Sequence, residues 1–167
     1  MLIFAVWINS ELLIFLLLSF TLNSNISAKP DFCRIVIVED DPDDRFITQQ
    51  AFQDLNFSGK LLIFQDTDEL LSYLQSNINK DCKPDLPELI ILDLNMPKKD
   101  GIQTLRELKE SSSFNNIPII ILSTSNSNDD LIKCLDLGAH KFITKPSSYK
   151  NLVNTVESLI TKYCNGH

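Results

Sequence analysis

Residues 88–101, ELIILDLNMPKKDG, run from an unbroken apolar stretch into an acid and then through a Pro and a Gly. An apolar run of this length with no polar alternation suits a strand buried on both faces, as in a parallel sheet covered by helices. Pro97 fixes its own φ, and Gly101 is expected to take a backbone conformation closed to other residues, so the loop should turn tightly into a helix. By itself this is only a strand-to-helix turn, because Pro, Asp and Gly are what turns ask for. Three other apolar runs end in the same way: IVIV before Glu39 and Asp40, PIIIL before Ser123, and KFIT before Lys145. Each polar station falls just past a predicted strand, where open parallel sheets present their ligands.

From Asp31 onward, apolar strands and amphipathic segments alternate five times, which reads as an α/β domain with helices on both faces of a parallel sheet. Strands are predicted near Arg34 to Val38, Lys60 to Phe64, Glu88 to Leu92, Ile117 to Leu122 and Lys141 to Ile143. Helices are predicted near Asp43 to Asp54, Asp68 to Asn79, Ile102 to Glu110, Asn128 to Leu137 and Ser147 to Tyr163. In the second helix Leu70, Leu71, Leu74 and Ile78 lie on one face of a 3.6-residue period, with Asp66 or Thr67 as its cap. Gly59, the DCKPDLP stretch from Asp81 to Pro87, and Gly138 mark turns.

The 167 residues suffice for one ordinary domain and hardly for two. A formal net charge of −7 repels nucleic acid phosphates and points to a protein partner. Cys33, Cys82, Cys134 and Cys164 stand far apart with no C-x-x-C pair, so neither a zinc cage nor a dithiol motif is suggested, and they are expected to be apolar fillers plus a loop thiol. Lone His140 falls at a turn, not on a helix face, and is read as a solvent or turn residue. No repeat or low-complexity tract is evident.

The first 28 residues differ in kind. Met1 to Leu22 is mostly Leu, Ile, Phe and Val, and no Lys or Arg precedes Lys29. The length just reaches the ~20 apolar residues a membrane span needs, yet Glu11 at mid-segment costs roughly 2.5 to 3.5 kcal/mol on insertion scales. A secretory signal lacks its basic n-region here, although NSNISA is a weak cleavage site. Three readings stand: an anchor holding the domain at the inner face of the membrane, a signal peptide, or a start codon assigned too far upstream. The third is preferred, with the anchor second. The expected division is residues 1–30 as an apolar extension, 31–164 as the domain and 165–167 as a tail, in a cytoplasmic protein.

Acids crowded at one sheet edge repel by about 4 kcal/mol for a pair 4 Å apart at an effective dielectric near 20. A hard cation relieves that repulsion, and Mg²⁺ suits the place because it takes carboxylate, carbonyl and water oxygens and keeps positions for a phosphate. Lys145 adds a flexible point charge for a phosphate oxygen, and Ser123 adds a donor.

At these residues the chain resembles a response-regulator receiver domain of two-component signalling, from about Arg34 to about Tyr163. The resemblance implies a flavodoxin-like, doubly wound five-stranded sheet with strand order 2-1-3-4-5. It further implies Asp93 as phosphoacceptor, Glu39 and Asp40 as metal-binding acids, Asn95 as a backbone-carbonyl ligand of Mg²⁺, Ser123 as switch hydroxyl, Phe142 as switch aromatic and Lys145 as phosphate-binding lysine. Asp41 would cap the following helix, and the Lys145–Pro146 bond would be cis. Thr124 stands where many similar domains carry Ala or Gly, which narrows access to the phosphoryl group, and Phe142 replaces the frequent Tyr. The phrases EDDPDDRFITQQAF and DLNMPKKDG resemble a stand-alone subgroup found beside phytochrome-type or hybrid sensor kinases.

The expected function is that of a single-domain phosphoacceptor that catalyses its own phosphorylation and slow dephosphorylation. Its partners would be a sensor histidine kinase or histidine phosphotransfer module, and a downstream protein docking on the fourth helix, fifth strand and fifth helix, with no direct nucleic acid binding. With only 22 residues after Lys145, output is expected to lie in a partner. A magnesium-dependent phosphatase with an aspartyl nucleophile is the alternative. It wants a second acid two residues after the first, where this chain has Asn95. A flavodoxin-like cofactor binder wants a Ser/Thr/Gly-rich loop after the first strand, and EDDPDD is electrostatically wrong for an anion.

Overall fold

The computed structural model describes residues 33–78, 86–96 and 100–164. The chain separates into Met1–Asp31 and Phe32–His167, and every described residue lies in the second unit. The apolar leader, residues 81–85 of the predicted DCKPDLP turn, and Pro97 lie outside the described residues.

Among the described residues ten elements alternate: β1 Arg34–Val38, α1 Pro42–Asp54, β2 Lys60–Phe64, α2 Thr67–Ile78, β3 Leu89–Leu92, α3 Gly101–Glu110, β4 Ile119–Ser123, α4 Asn128–Asp136, β5 Lys141–Thr144 and α5 Tyr149–Tyr163. The strands form one parallel sheet in the order β2-β1-β3-β4-β5. Strands β1, β3 and β4 are buried along their whole length, which is why their sequences show no polar alternation. Side chains from alternate strand positions enter separate cores. Val36, Val38, Ile90, Leu92, Ile119 and Ile121 pack with Leu70 and Leu74 of α2, Leu105 and Leu108 of α3, and Cys134 of α4. Ile35, Ile37, Leu89, Ile91, Ile120 and Leu122 pack with Ala51 and Phe52 of α1 and Leu152, Val156 and Leu159 of α5. Each fully buried Ile, Leu or Val contributes about 1.5 to 3 kcal/mol relative to exposure, so the interior strands carry much of the fold's stability.

Local chemistry sets the helix starts. The Asp41 carboxylate accepts from the Asp43 and Asp44 amides at 2.8 and 3.1 Å, and Pro42 occupies the first turn, where its missing N–H costs nothing. Asp66 accepts from the Glu69 amide at 3.0 Å, while Thr67 turns inward to bond Thr104 at 2.6 Å, so the aspartate is the cap of α2. The last helix begins at Tyr149, two residues later than expected, because Ser148 caps it through the Asn151 amide. Strand β4 starts at Ile119, not Ile117, and extends to Ser123, which pairs with Thr144 of β5.

Three expectations need correcting. Gly101 does not adopt a positive φ; among the described glycines Gly138 does, at +95°. Gly101 is needed for proximity, since a Cβ there would meet the Asp93 carbonyl and stand 2.6 Å from the Leu94 Cα. The Lys145–Pro146 bond is trans. Trans is the ordinary preference of an X–Pro bond, and with it the Lys145 amide still bonds the Ser123 carbonyl at 2.8 Å.

The third correction concerns the cysteines. Cys33, just before β1, is disulfide-bonded to Cys164, just after α5, with Cα atoms 5.4 Å apart. Strand β1 is an interior strand of the sheet and α5 runs back across it, so two ends separated by 131 residues meet at the rim where β1 begins. Cys134 does behave as an apolar filler: it is a buried free thiol, and burial pushes it up to about 11.

Closing so long a loop restricts the unfolded chain, and Cys33→Ser is expected to cost about 2 to 5 kcal/mol in non-reducing urea denaturation. Reductant should abolish the difference between the variant and the parent protein.

Candidate functional site

The register of the sheet brings the stations together. Val38 pairs with Leu92, so Glu39 and Asp93 leave adjacent strands at the same level, and the Asp93 amide donates to the Val38 carbonyl at 3.0 Å. Leu92 pairs with Ile121 and Ser123 with Thr144, so the hydroxyl and Lys145 follow at the same rim. One carboxylate oxygen from each of Glu39, Asp40 and Asp93 lies within 4.8 Å of the others.

Lys145 sits at the centre of this rim. Its ammonium contacts Glu39 Oε2 at 2.6 Å, Asp93 Oδ2 at 2.8 Å and Asp44 Oδ2 at 2.5 Å. The Glu39 and Asp93 side chains are only 6% and 5% exposed, whereas that of Asp44 is 34% exposed. Burial pushes the Glu39 carboxyl up to about 7, Asp93 adds to that rise, and the Lys145 ammonium opposes it. For Lys145 burial acts downward, but hydrogen bonds to Asp44, Asp93 and Glu39 outweigh it and raise the ammonium above its ordinary value. Both groups thus shift upward for different reasons: burial disfavours the Glu39 carboxylate, while the surrounding carboxylates favour the Lys145 ammonium.

Backbone and side-chain bonds fix the remaining parts. The Asp41 amide donates to Glu39 Oε1 and the Asn95 amide to Asp93 Oδ1, both at 3.2 Å. Buried Ser123 accepts from the Ser125 amide at 3.2 Å. The Asn95 side-chain amide reaches Ser123 Oγ at 3.2 Å and Thr124 Oγ1 at 2.8 Å, bridging the loops after β3 and β4. Phe142 is half-buried against the core shared with α2, α3 and α4. His140 is exposed, ahead of β5, as a turn residue should be.

Two contributors were not singled out from sequence. Arg45 donates to the Glu39 and Asp40 carbonyls at 2.9 and 2.6 Å and so holds the acid-bearing loop. In the sequence Asp44 reads only as an acid suited to a helix start, within EDDPDD; the signal for its role is its position one turn beyond Asp40, which aims it back toward the rim.

An all-oxygen set of three clustered carboxylates fits a hard divalent cation such as Mg²⁺, which rarely takes a full cage of protein ligands. Glu39, Asp40 and Asp93 would hold it. The buried carboxyls of Glu39 and Asp93 each keep one oxygen turned to Lys145, so the ammonium already offsets part of their charge.

Fold and rim together define a doubly wound α/β protein with an acid-and-lysine site at the C-terminal ends of its strands. The family model described as response regulator receiver domain matches residues 35–157, and the chain belongs to that family. Response regulator Rcp1 of Synechocystis sp. is 33% identical over 125 residues, covering 75% of this chain and 84% of the relative. A probable methanogenesis regulatory protein, FilR2 of Methanothrix harundinacea, is also 33% identical over 125 residues, covering 75% and 79%. Among solved structures, the phosphorylated cyanobacterial phytochrome response regulator RcpA superposes with a TM-score of 0.71 at 30% identity over 81% of this chain and 96% of that one. The Mn²⁺-bound form of Rcp1 superposes at 0.69 with the same identity and coverage. Among the described residues no helix is long and apolar enough to cross a membrane.

Mg²⁺ at about 100 times its dissociation constant is expected to raise the unfolding free energy by about 2.7 kcal/mol, as any ligand of the folded state alone does. Asp40→Asn should remove most of that gain in a thermal melt; a gain that survives would put the cation elsewhere.

Proposed function

We propose that this protein is a single-domain response regulator that takes a phosphoryl group onto Asp93 and signals through a surface that responds to it. The observation that carries this reading is the company Asp93 keeps: a buried carboxylate, 2.8 Å from an ammonium, within a triad of acids suited to a cation.

The chemistry asks little of the protein beyond placement. Asp93 Oδ attacks the phosphorus of a phosphohistidine or a small acyl phosphate in line with the leaving group, a new O–P bond forms as the donor's bond breaks, and the donor departs with the electron pair. Lys145 turns its ammonium to the transferred oxygens and offsets charge that the acids alone would repel. Mg²⁺, when bound by Glu39, Asp40, Asp93 and the Asn95 carbonyl, would supply the rest of that neutralisation. Ser123 then donates its hydroxyl to a phosphoryl oxygen, which draws the loop after β4 inward and lets Phe142 turn into the space released. The face formed by α4, β5 and α5 is thereby biased between two states, and a partner selects the phosphorylated one.

The donor is a sensor histidine kinase or a histidine phosphotransfer module, and the output partner is a protein, in keeping with the negative net charge. The relative whose solved structure is that of a cyanobacterial phytochrome response regulator supports a light-sensing kinase as one source. Such phosphodonors are cytoplasmic, and a reducing cytosol would keep Cys33 and Cys164 as thiols. Thr124, bonded to the Asn95 amide beside Ser123, narrows the approach of water and slows dephosphorylation.

Acetyl phosphate with Mg²⁺ is expected to add one phosphoryl group by intact-mass spectrometry, and Asp93→Asn to add none; label in the variant would refute the assignment. Lys145→Ala is expected to keep Mg²⁺ binding while the Phe142 resonances stop responding to acetyl phosphate. Wild-type shifts in that variant would remove the lysine from the switch.

A further inference from the structure

An ammonium has three N–H donors, and Lys145 directs them at three carboxylates. Glu39 and Asp93 hold it from the strand ends. Asp44 holds it from a different element, the first turn of α1, whose path is set by the Asp41 cap and by Arg45 on the preceding carbonyls. A phosphoryl oxygen arriving at Asp93 therefore meets a lysine whose donors are already taken. The most exposed of the three partners is the one most easily released, since water can solvate Asp44 once the ammonium has left.

Resting on the reading of Asp93 as phosphoacceptor, we propose that Asp44 is a positioning residue. It parks Lys145 on α1 before phosphorylation and gives it up to the phosphoryl group afterwards. Two consequences follow from the charges. Before transfer, the Asp44 carboxylate both occupies the lysine and repels an anionic donor, so it slows phosphoryl acceptance. After transfer, the first turn of α1 loses an ion pair, so phosphorylation is felt at α1 as well as on the face of α4, β5 and α5.

The test measures the second-order rate of acceptance from acetyl phosphate with Mg²⁺ by intact-mass spectrometry, alongside amide NMR shifts. Asp44→Asn should react about two- to fivefold faster, the effect of an exposed ion pair. Asp44→Glu, which can rebuild the contact, should restore the parent rate. Asp43→Asn removes the same charge one residue earlier, at a side chain that is not among the partners of Lys145, and should change the rate less. In the parent protein, phosphorylation should shift the amides of Asp43 to Phe46; in Asp44→Asn those shifts should vanish while the Thr144 amide still moves. An unchanged rate in Asp44→Asn, equal effects of Asp43→Asn and Asp44→Asn, or α1 shifts that persist without Asp44 would each overturn the proposal and leave Asp93 as phosphoacceptor intact. A parent protein that accepts no phosphoryl group would overturn both.

Discussion

A single ammonium among four carboxylates is the constraint around which this molecule is arranged. Lys145 contacts Glu39, Asp44 and Asp93, and Asp40 completes the acid cluster. Two of these acids are buried, and an unpaired charge in such a place costs several kcal/mol. The lysine offsets that cost without cancelling it, because acids outnumber it at the rim. The remainder is an appetite for positive charge, and the same imbalance would draw in a cation and hold a transferred phosphoryl group near the lysine.

The sheet makes this arrangement possible by register. Parallel strands released at matching levels put Glu39 beside Asp93, and the crossovers send α1 and α3 away from the rim so that it stays open. Gly101 contributes by having no side chain: α3 starts against the Asp93 carbonyl, and any Cβ would push the helix off the strand that bears the phosphoacceptor candidate. A small residue at a helix start thus fixes the direction of a carboxylate eight positions earlier in the chain.

Much of this was legible in the chain because its strongest signals are local. Strand β1 could be read to the residue, since its five buried positions are apolar save Arg34 and are followed at once by acids. The gathering of Glu39, Asp40 and Asp93 followed from strand ends and topology. What escaped depends on distance or direction. Cys33 and Cys164 are joined by the fold across 131 residues, with no spacing to announce them. The cap formed by Asp41 was expected, but the contact of Asp44 with Lys145 joins residues 101 positions apart, which an acidic run does not reveal. The start of α5 was misplaced because Ser147 and Ser148 are equally good caps on paper. The cis bond before Pro146 was carried over from similar domains, with nothing in these residues demanding it, and the structure has it trans.

The bond between Cys33 and Cys164 has a mechanical meaning. With it closed, 33–164 becomes a ring whose seam lies at the rim opposite the acids. Tension applied to whatever precedes Cys33 or follows Cys164 would pass directly through sulfur, leaving the ladder between β1 and its neighbours unloaded. Opened to thiols, the same tug would load α5 and β1 directly, and β1 is the interior strand that leads into Glu39 and Asp40.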